Sequence, residues 1–271
     1  MSERTLSYSG GAISFILETR TAENSAAYLL GELQSMKERN PHLKILDVGT
    51  GPGTISVGFA RNIPDGHVTA TDLNPDVLKR AQEIASASGV GNIEFQTADI
   101  HKLPFPDETF DITHCHQVLT HIKNPWDAIR EMLRVTKPGG IVAARESDIE
   151  TQTVWPDSPG IVKSHQWVKA MMAHNGGSPT AGRQLLSWAL KAGAERDQIT
   201  HSFGTLWYST DEEAHNWTRA TVSQIYHGRA REGVEFITEQ DFDEMAKAWE
   251  EWSDKDGGSL AMLQGQILIR K

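Results

Sequence analysis

Residues 44–54 read Lys-Ile-Leu-Asp-Val-Gly-Thr-Gly-Pro-Gly-Thr. An apolar β-segment runs into an acid, Asp47, and then into a turn with glycine at every second position, Gly49, Gly51 and Gly53. Backbone so poor in Cβ atoms can come very close to a ligand. In an open parallel sheet, ligands lie beyond the carboxyl ends of the strands, near the point where the strand order reverses. One turn therefore constrains both the architecture and the place of the site.

The pattern around it repeats. Strands are expected at 44–48, 67–72, 93–97, 110–115 and 141–144, with helices at 54–62, 75–88 and 125–136 between them. This alternation is the mark of an α/β, doubly wound parallel sheet. Past Arg145 the pattern turns helical. Helices are expected at 161–172, 181–192, 211–226 and 239–252, a strand bulged at Gly204 over 198–208, and a last strand at 266–270. The chain divides into an N-terminal helical cap (1–40), a cofactor-binding core (41–150) and a helical, substrate-covering part with the final strands (151–271). Trp155, Trp167, Trp188, Trp207, Trp217, Trp249 and Trp252 fall in that last part, where burial is the ordinary use of a large aromatic ring.

Charge and cysteine use exclude several roles. A formal net charge of −10 opposes a grip on nucleic acid. Cys115 is the single cysteine, so no internal disulfide can form, which suits a reducing compartment. Met1 to Gly11 lacks a basic region followed by an apolar one, and no apolar run reaches the ~20 residues of a membrane span. A soluble, cytoplasmic protein is expected. A homodimer is left open.

Two further acids stand at strand ends. Asp72 closes the second strand, where a carboxylate can accept from ribose hydroxyls. Asp99, in Ala98-Asp99-Ile100, follows the third strand, where it can take an adenine amine with Ile100 against the ring. A dinucleotide turn has the spacing Gly-x-Gly-x-x-Gly. Here the third glycine comes one residue early, and Asp47 precedes the turn. An acid repels pyrophosphate and attracts an amine. A nucleoside with an ammonium group and no phosphate fits better, and S-adenosylmethionine is such a molecule.

Leu46 to Thr54 resembles the first motif of class I S-adenosylmethionine-dependent methyltransferases. Asp72 resembles the second motif's acid and Ala98-Asp99-Ile100 the third. Leu103 to Asp111 and Leu133 to Gly140 resemble the ubiquinone/menaquinone-biosynthesis-like, small-molecule branch of that family. The resemblance implies a Rossmann-like sheet of seven strands, the last antiparallel, with a helical insertion between strands five and six. It implies cofactor contacts through Thr21, Asp47, Gly49, Thr50, Gly51, Gly53, Asp72, Leu73, Asp99, Ile100, His116 and Gln117, with S-adenosylhomocysteine as product. Arg20 and Thr21 would close over the methionine end. The branch pattern Ser-x-x-Leu-x-His becomes His116-Gln117-Val118-Leu119-Thr120-His121, so His121 matches and His116 departs.

Methyl transfer rests mainly on placing the acceptor, and a base is needed only where the acceptor keeps its proton. His116 and His121 are the catalytic candidates, against packing or capping roles. Arg20, His121, Arg145, Glu146 and Trp155 are the substrate candidates; for Arg145 and Glu146 the competing role is a salt bridge. His114, Cys115, His116 and His121 follow no usual zinc spacing, and no metal is expected. The function expected is methyl transfer from S-adenosylmethionine to a small molecule in quinone-like or secondary-metabolite biosynthesis. The rivals are a non-catalytic S-adenosylmethionine-binding partner of another enzyme and a nicotinamide-dependent oxidoreductase.

Overall fold

The computed structural model describes residues 16–228 and 237–271. The segment Met1 to Gly11, read above for targeting, and the first part of the 1–40 cap lie outside them. Helices α1 (Ala22–Ser25) and α2 (Ala27–Arg39) come first, with Thr21 and Asn24 capping α1 reciprocally. Then follow β1 (Lys44–Val48), α3 (Thr54–Asn62), β2 (His67–Asp72), α4 (Pro75–Ala87), β3 (Ile93–Thr97), β4 (Phe110–His116), α5 (Pro125–Val135) and β5 (Thr136–Ser147). Asn74 caps α4 ahead of Pro75 at its first position. The later part holds β6 (Thr153–Trp155), α6 (Pro159–His174), α7 (Ala181–Ala192), β7 (Ile199–Tyr208), α8 (Asp211–Gly228), α9 (Glu239–Ser253) and β8 (Ser259–Arg270).

β3, β2, β1, β4 and β5 pair in parallel in that order. β8 runs antiparallel beside β5 on one edge and beside β7 on the other. This is the expected Rossmann-like sheet with its last strand inverted, but it has eight strands, because short β6 pairs with Ser259–Ala261 of β8 where β5 has ended. Two local expectations change. The last strand has twelve residues rather than five, since buried Leu260 and Met262 alternate with exposed Ser259 and Leu263 and half-buried Ala261, which hides its first half. β7 carries no bulge: its pairing to β8 is unbroken through Gly204, where a Cβ would stand 2.4 Å from the Gln266 amide nitrogen. Helices stand on both sides of β7 in the expected order, α6 and α7 before it and α8 and α9 after.

Alternate strand residues feed two cores. Ile45, Ile112, Ile141, Ala143 and Leu268 meet α1, α2 and α3. Leu46, Val48, Cys115, Val142, Ala144 and Ile267 meet α5 and α7. A third core joins α6, α8 and α9 around Trp167, Trp249 and Trp252 and rests on Leu260. Trp188 is buried in the α5–α7 core, so these tryptophans serve burial; Trp155 and Trp207 stand exposed.

Candidate active site

On the face beneath α1–α3 the strands change character within one two-residue step, β1 and β4 at the Asp47–His114 row and β5 and β8 at the Arg145–Gln266 row. β1 passes from Ile45 to Asp47, β4 from Ile112 to His114 and His116, β5 from Ala143 to Arg145 and Ser147, and β8 from Leu268 to Gln266 and Gln264. Period-two alternation puts all of these on one face. The polar strip begins where the α1–α3 core stops and ends at Leu260, where the third core begins. His116, Arg145, Gln266 and Ser202 form one row through strand pairing.

The glycine turn lies at the head of β1. Gly49, Gly51 and Gly53 all have positive φ, at 69°, 55° and 80°. Gly51 N–H donates to Asp72 Oδ2 at 3.0 Å, and Asn74 N–H donates to Asp72 Oδ1 at 3.0 Å. Burial holds the Asp72 carboxyl above its usual range, against these backbone donors. The Gly51 amide, which a pyrophosphate would otherwise use, thus already faces a carboxylate, and a phosphate beside it would meet repulsion. No heavy atom comes within 4 Å of a Cβ built on Gly51. An open cradle, an acid with free lone pairs and a Gly51 amide already given to that acid fit a nucleoside without phosphates. Half-exposed Leu73 adjoins Asp72. Asp99 Oδ1 accepts from His101 N–H at 2.9 Å, and Ile100 packs into the core beside it.

Residues 39–203, well over half of the chain, match a family described as a methyltransferase domain. An uncharacterized methyltransferase of Schizosaccharomyces pombe is 35% identical over 280 residues, covering 98% of this chain and 97% of that one. The chain is a class I S-adenosylmethionine-dependent methyltransferase. The ubiquinone/menaquinone biosynthesis C-methyltransferase of Pseudomonas fluorescens is 40% identical over 111 residues, 40% of this chain and 42% of its own length. Two solved structures share the fold. The YcgJ protein of Bacillus subtilis has a TM-score of 0.55 at 17% identity, covering 90% of this chain and 99% of its own. Phosphoethanolamine N-methyltransferase 2 of Haemonchus contortus, in complex with phosphomonomethylethanolamine and S-adenosylhomocysteine, has a TM-score of 0.52 at 16% identity, covering 87% of this chain and 51% of its own.

Other site residues of this methyltransferase depart from expectation. Asp47 is buried, with His114 Nδ1 2.7 Å from Oδ1 and the Ser56 hydroxyl donating to Oδ2. Its carboxylate braces β1 against β4 and α3 rather than reaching a ligand amine directly. Thr50 extends this chain through the Ser56 hydroxyl. Glu146 is fully buried on the opposite face. Oε1 accepts the amides of Val118 and Leu119 at 3.0 and 2.9 Å, and Oε2 that of Thr120 at 3.2 Å. It holds the loop after β4 and offers nothing to a substrate, nor does it pair with the insertion. Burial pushes its pKa up to about 7 against those three donors. Trp155 is 69% exposed, with its carbonyl taken by Trp252 Nε1; it does not line a closed pocket.

The structure does bring His116, His121, Arg145 and Arg20 together. Burial, then Arg20 and Arg145, push His116 well below its ordinary pKa. Burial, then Arg20, push His121 down to about 4. Both rings are therefore neutral at neutral pH, each with a nitrogen of the hydrogen-bond-accepting kind, and are weaker bases than a free imidazole. Gln117 holds φ at 57°. Its N–H donates to the Arg145 carbonyl, its side-chain amide to Gln264 Oε1, and its own Oε1 accepts from Ser147. These bonds offset the left-handed backbone and direct His116 and Val118. Cys115 faces the other core, which separates it from both neighbouring histidines.

Tyr28, Tyr208 and Gln264 are not singled out by the sequence, and His114 is weighed there only as a metal ligand. His114 was legible, since it sits opposite Asp47 on the next strand of the site. The tyrosines and Gln264 carry no local signal; only the packing of α2, β7 and β8 delivers them.

Proposed function

We propose that the enzyme methylates a small organic molecule seated on the polar strip. One observation carries this reading: the groups at the head of β4 and β5 are nearly enclosed, His116 at 8% and Arg145 at 4% exposure, so a macromolecular surface does not reach them. The net charge of −10 agrees in opposing nucleic acid. The turn at Gly49, Thr50, Gly51 and Gly53 would carry the cofactor, Asp72 with Leu73 its ribose, and Asp99 with Ile100 its adenine. Thr21, Arg20, His116 and Gln117 would flank the methionine end. The described part of the 1–40 cap and the helices of 151–271 would cover the acceptor.

Bound S-adenosylmethionine supplies a methyl group on a sulfonium, whose carbon–sulfur electron pair leaves with sulfur as S-adenosylhomocysteine. The chain's part is orientation and exclusion of water, with His121 or His116 taking a proton from an acceptor that still holds one. Likeness to a quinone-pathway C-methyltransferase over 111 residues supports a phenolic or quinol-like acceptor.

The test is calorimetric titration of S-adenosylhomocysteine, followed by transfer of labelled methyl to phenols, quinols, amines and thiols. Micromolar binding with label in a small molecule is expected. Binding with no transfer to any acceptor would instead favour a non-catalytic partner.

A further inference from the structure

We propose that the acceptor carries a carboxylate and that Arg145 receives it; the proposal rests on the methyl-transfer reading above. Arg145 is 4% exposed. Nη1 donates to the backbone carbonyls of Asn24 and Ser25 at 3.2 and 3.3 Å. Nε is buried with no acceptor, and no carboxylate pairs with this arginine, among the described residues. An enclosed cation without a counter-charge is costly, and a guanidinium edge matches a planar carboxylate.

The nearby acids are committed elsewhere. Glu146 serves three amides on the other face, Asp47 serves His114 and Ser56, and Glu213 accepts from Ser209 and Thr210. What remains around Arg145 is positive or hydrogen-donating. Arg20 is near enough to lower both Arg145 and His116. Tyr28 and Tyr208 lie within its electrostatic reach with hydroxyl pKa values raised by burial, so both keep their protons. Tyr28 Oη and His116 Nδ1 are further buried atoms without partners among the described residues. A donor-rich, cationic recess inside a chain of net charge −10 complements an anion.

The anion belongs to the acceptor rather than to the cofactor's methionine. Arg145 lies two residues before the end of β5, and β4 separates it from β1 and the glycine turn. Two strand spacings amount to ~10 Å.

The experiment uses the full chain saturated with S-adenosylhomocysteine and paired probes that differ only in charge: 4-hydroxybenzoate against 4-hydroxybenzamide, and salicylate against salicylamide. Acids are expected to bind at least tenfold tighter than their amides. Arg145→Met is expected to erase the difference and Arg145→Lys to keep part of it, with S-adenosylhomocysteine affinity within twofold in both. Equal binding of acid and amide, binding of neither, or a loss of cofactor affinity in Arg145→Lys would overturn the proposal. The wild-type cofactor titration reads the methyl-transfer assignment separately, so the two can fail independently.

Discussion

The carboxylate of Asp72 and the amide of Gly51 face each other at 3.0 Å across 21 residues of sequence. This one bond ties the end of β2 to the turn after β1, and a second, to Asn74, fixes the carboxylate's plane. Asn at position 72 keeps the shape but presents an NH2 group to one of the two backbone donors. Asp72→Asn is expected to weaken S-adenosylhomocysteine at least tenfold by calorimetry, with the circular dichroism spectrum unchanged. Unaltered affinity would remove Asp72 from the cofactor site. The dinucleotide NAD is expected to show no binding to the wild type.

Much of this was legible in the sequence because its periodicity is strong. The five parallel strands and the helices between them follow from apolar alternation and capping residues such as Asn74 and Thr21. The glycine turn announced the cofactor side because residues without a Cβ reach left-handed backbone at little cost and let a ligand come close. The acceptor side was less legible. Glu146 reads as a charged residue at a strand end, and nothing local says that it folds inward to cap Val118, Leu119 and Thr120. Asp47 reads as a ligand-facing acid until β4 sets His114 against it. Trp155 reads as a pocket wall, but β6 leaves it outside the third core. In each case long-range pairing, rather than local propensity, decides where the side chain goes.

Glu146 gives stability a measurable pH signature. Its folded pKa of about 7 exceeds the ordinary 4.5, so between these values the folded state holds a proton that the unfolded chain has lost. Stability from this group falls as pH rises from 4.5 to 7 and levels above. His121, with a folded pKa of about 4 against 6.5, acts oppositely, and its contribution falls as pH drops from 6.5 to 4. Glu146→Gln removes only the first effect. The melting temperature of the wild type minus that of Glu146→Gln is expected to shrink from pH 5 to pH 7 by calorimetric scans. A constant difference would mean that the carboxyl is ionised throughout. Glu146→Ala leaves three buried amides without an acceptor and is expected to cost about 3 kcal/mol or more.

Gly49 and Gly51 share a left-handed backbone, yet alanine is expected to affect them differently. At Gly51 no heavy atom lies within 4 Å of a new Cβ, so Gly51→Ala costs about 1–2 kcal/mol for the backbone conformation alone. Its methyl group projects into the cradle, and S-adenosylhomocysteine affinity is expected to fall at least tenfold. At Gly49 the same Cβ would stand 2.3 Å from Val118 Cγ2. Val118 cannot withdraw freely, since Glu146 holds its amide at 3.0 Å. Gly49→Ala is therefore expected to lower the melting temperature further than Gly51→Ala and to displace the loop that carries His121. Adding Val118→Ala removes the opposing methyl groups and is expected to recover part of the lost stability in Gly49→Ala. In the wild type Val118→Ala should only destabilise, by the usual 1–3 kcal/mol or less for a trimmed, partly buried side chain. A double mutant whose losses simply add would show that the two residues do not touch.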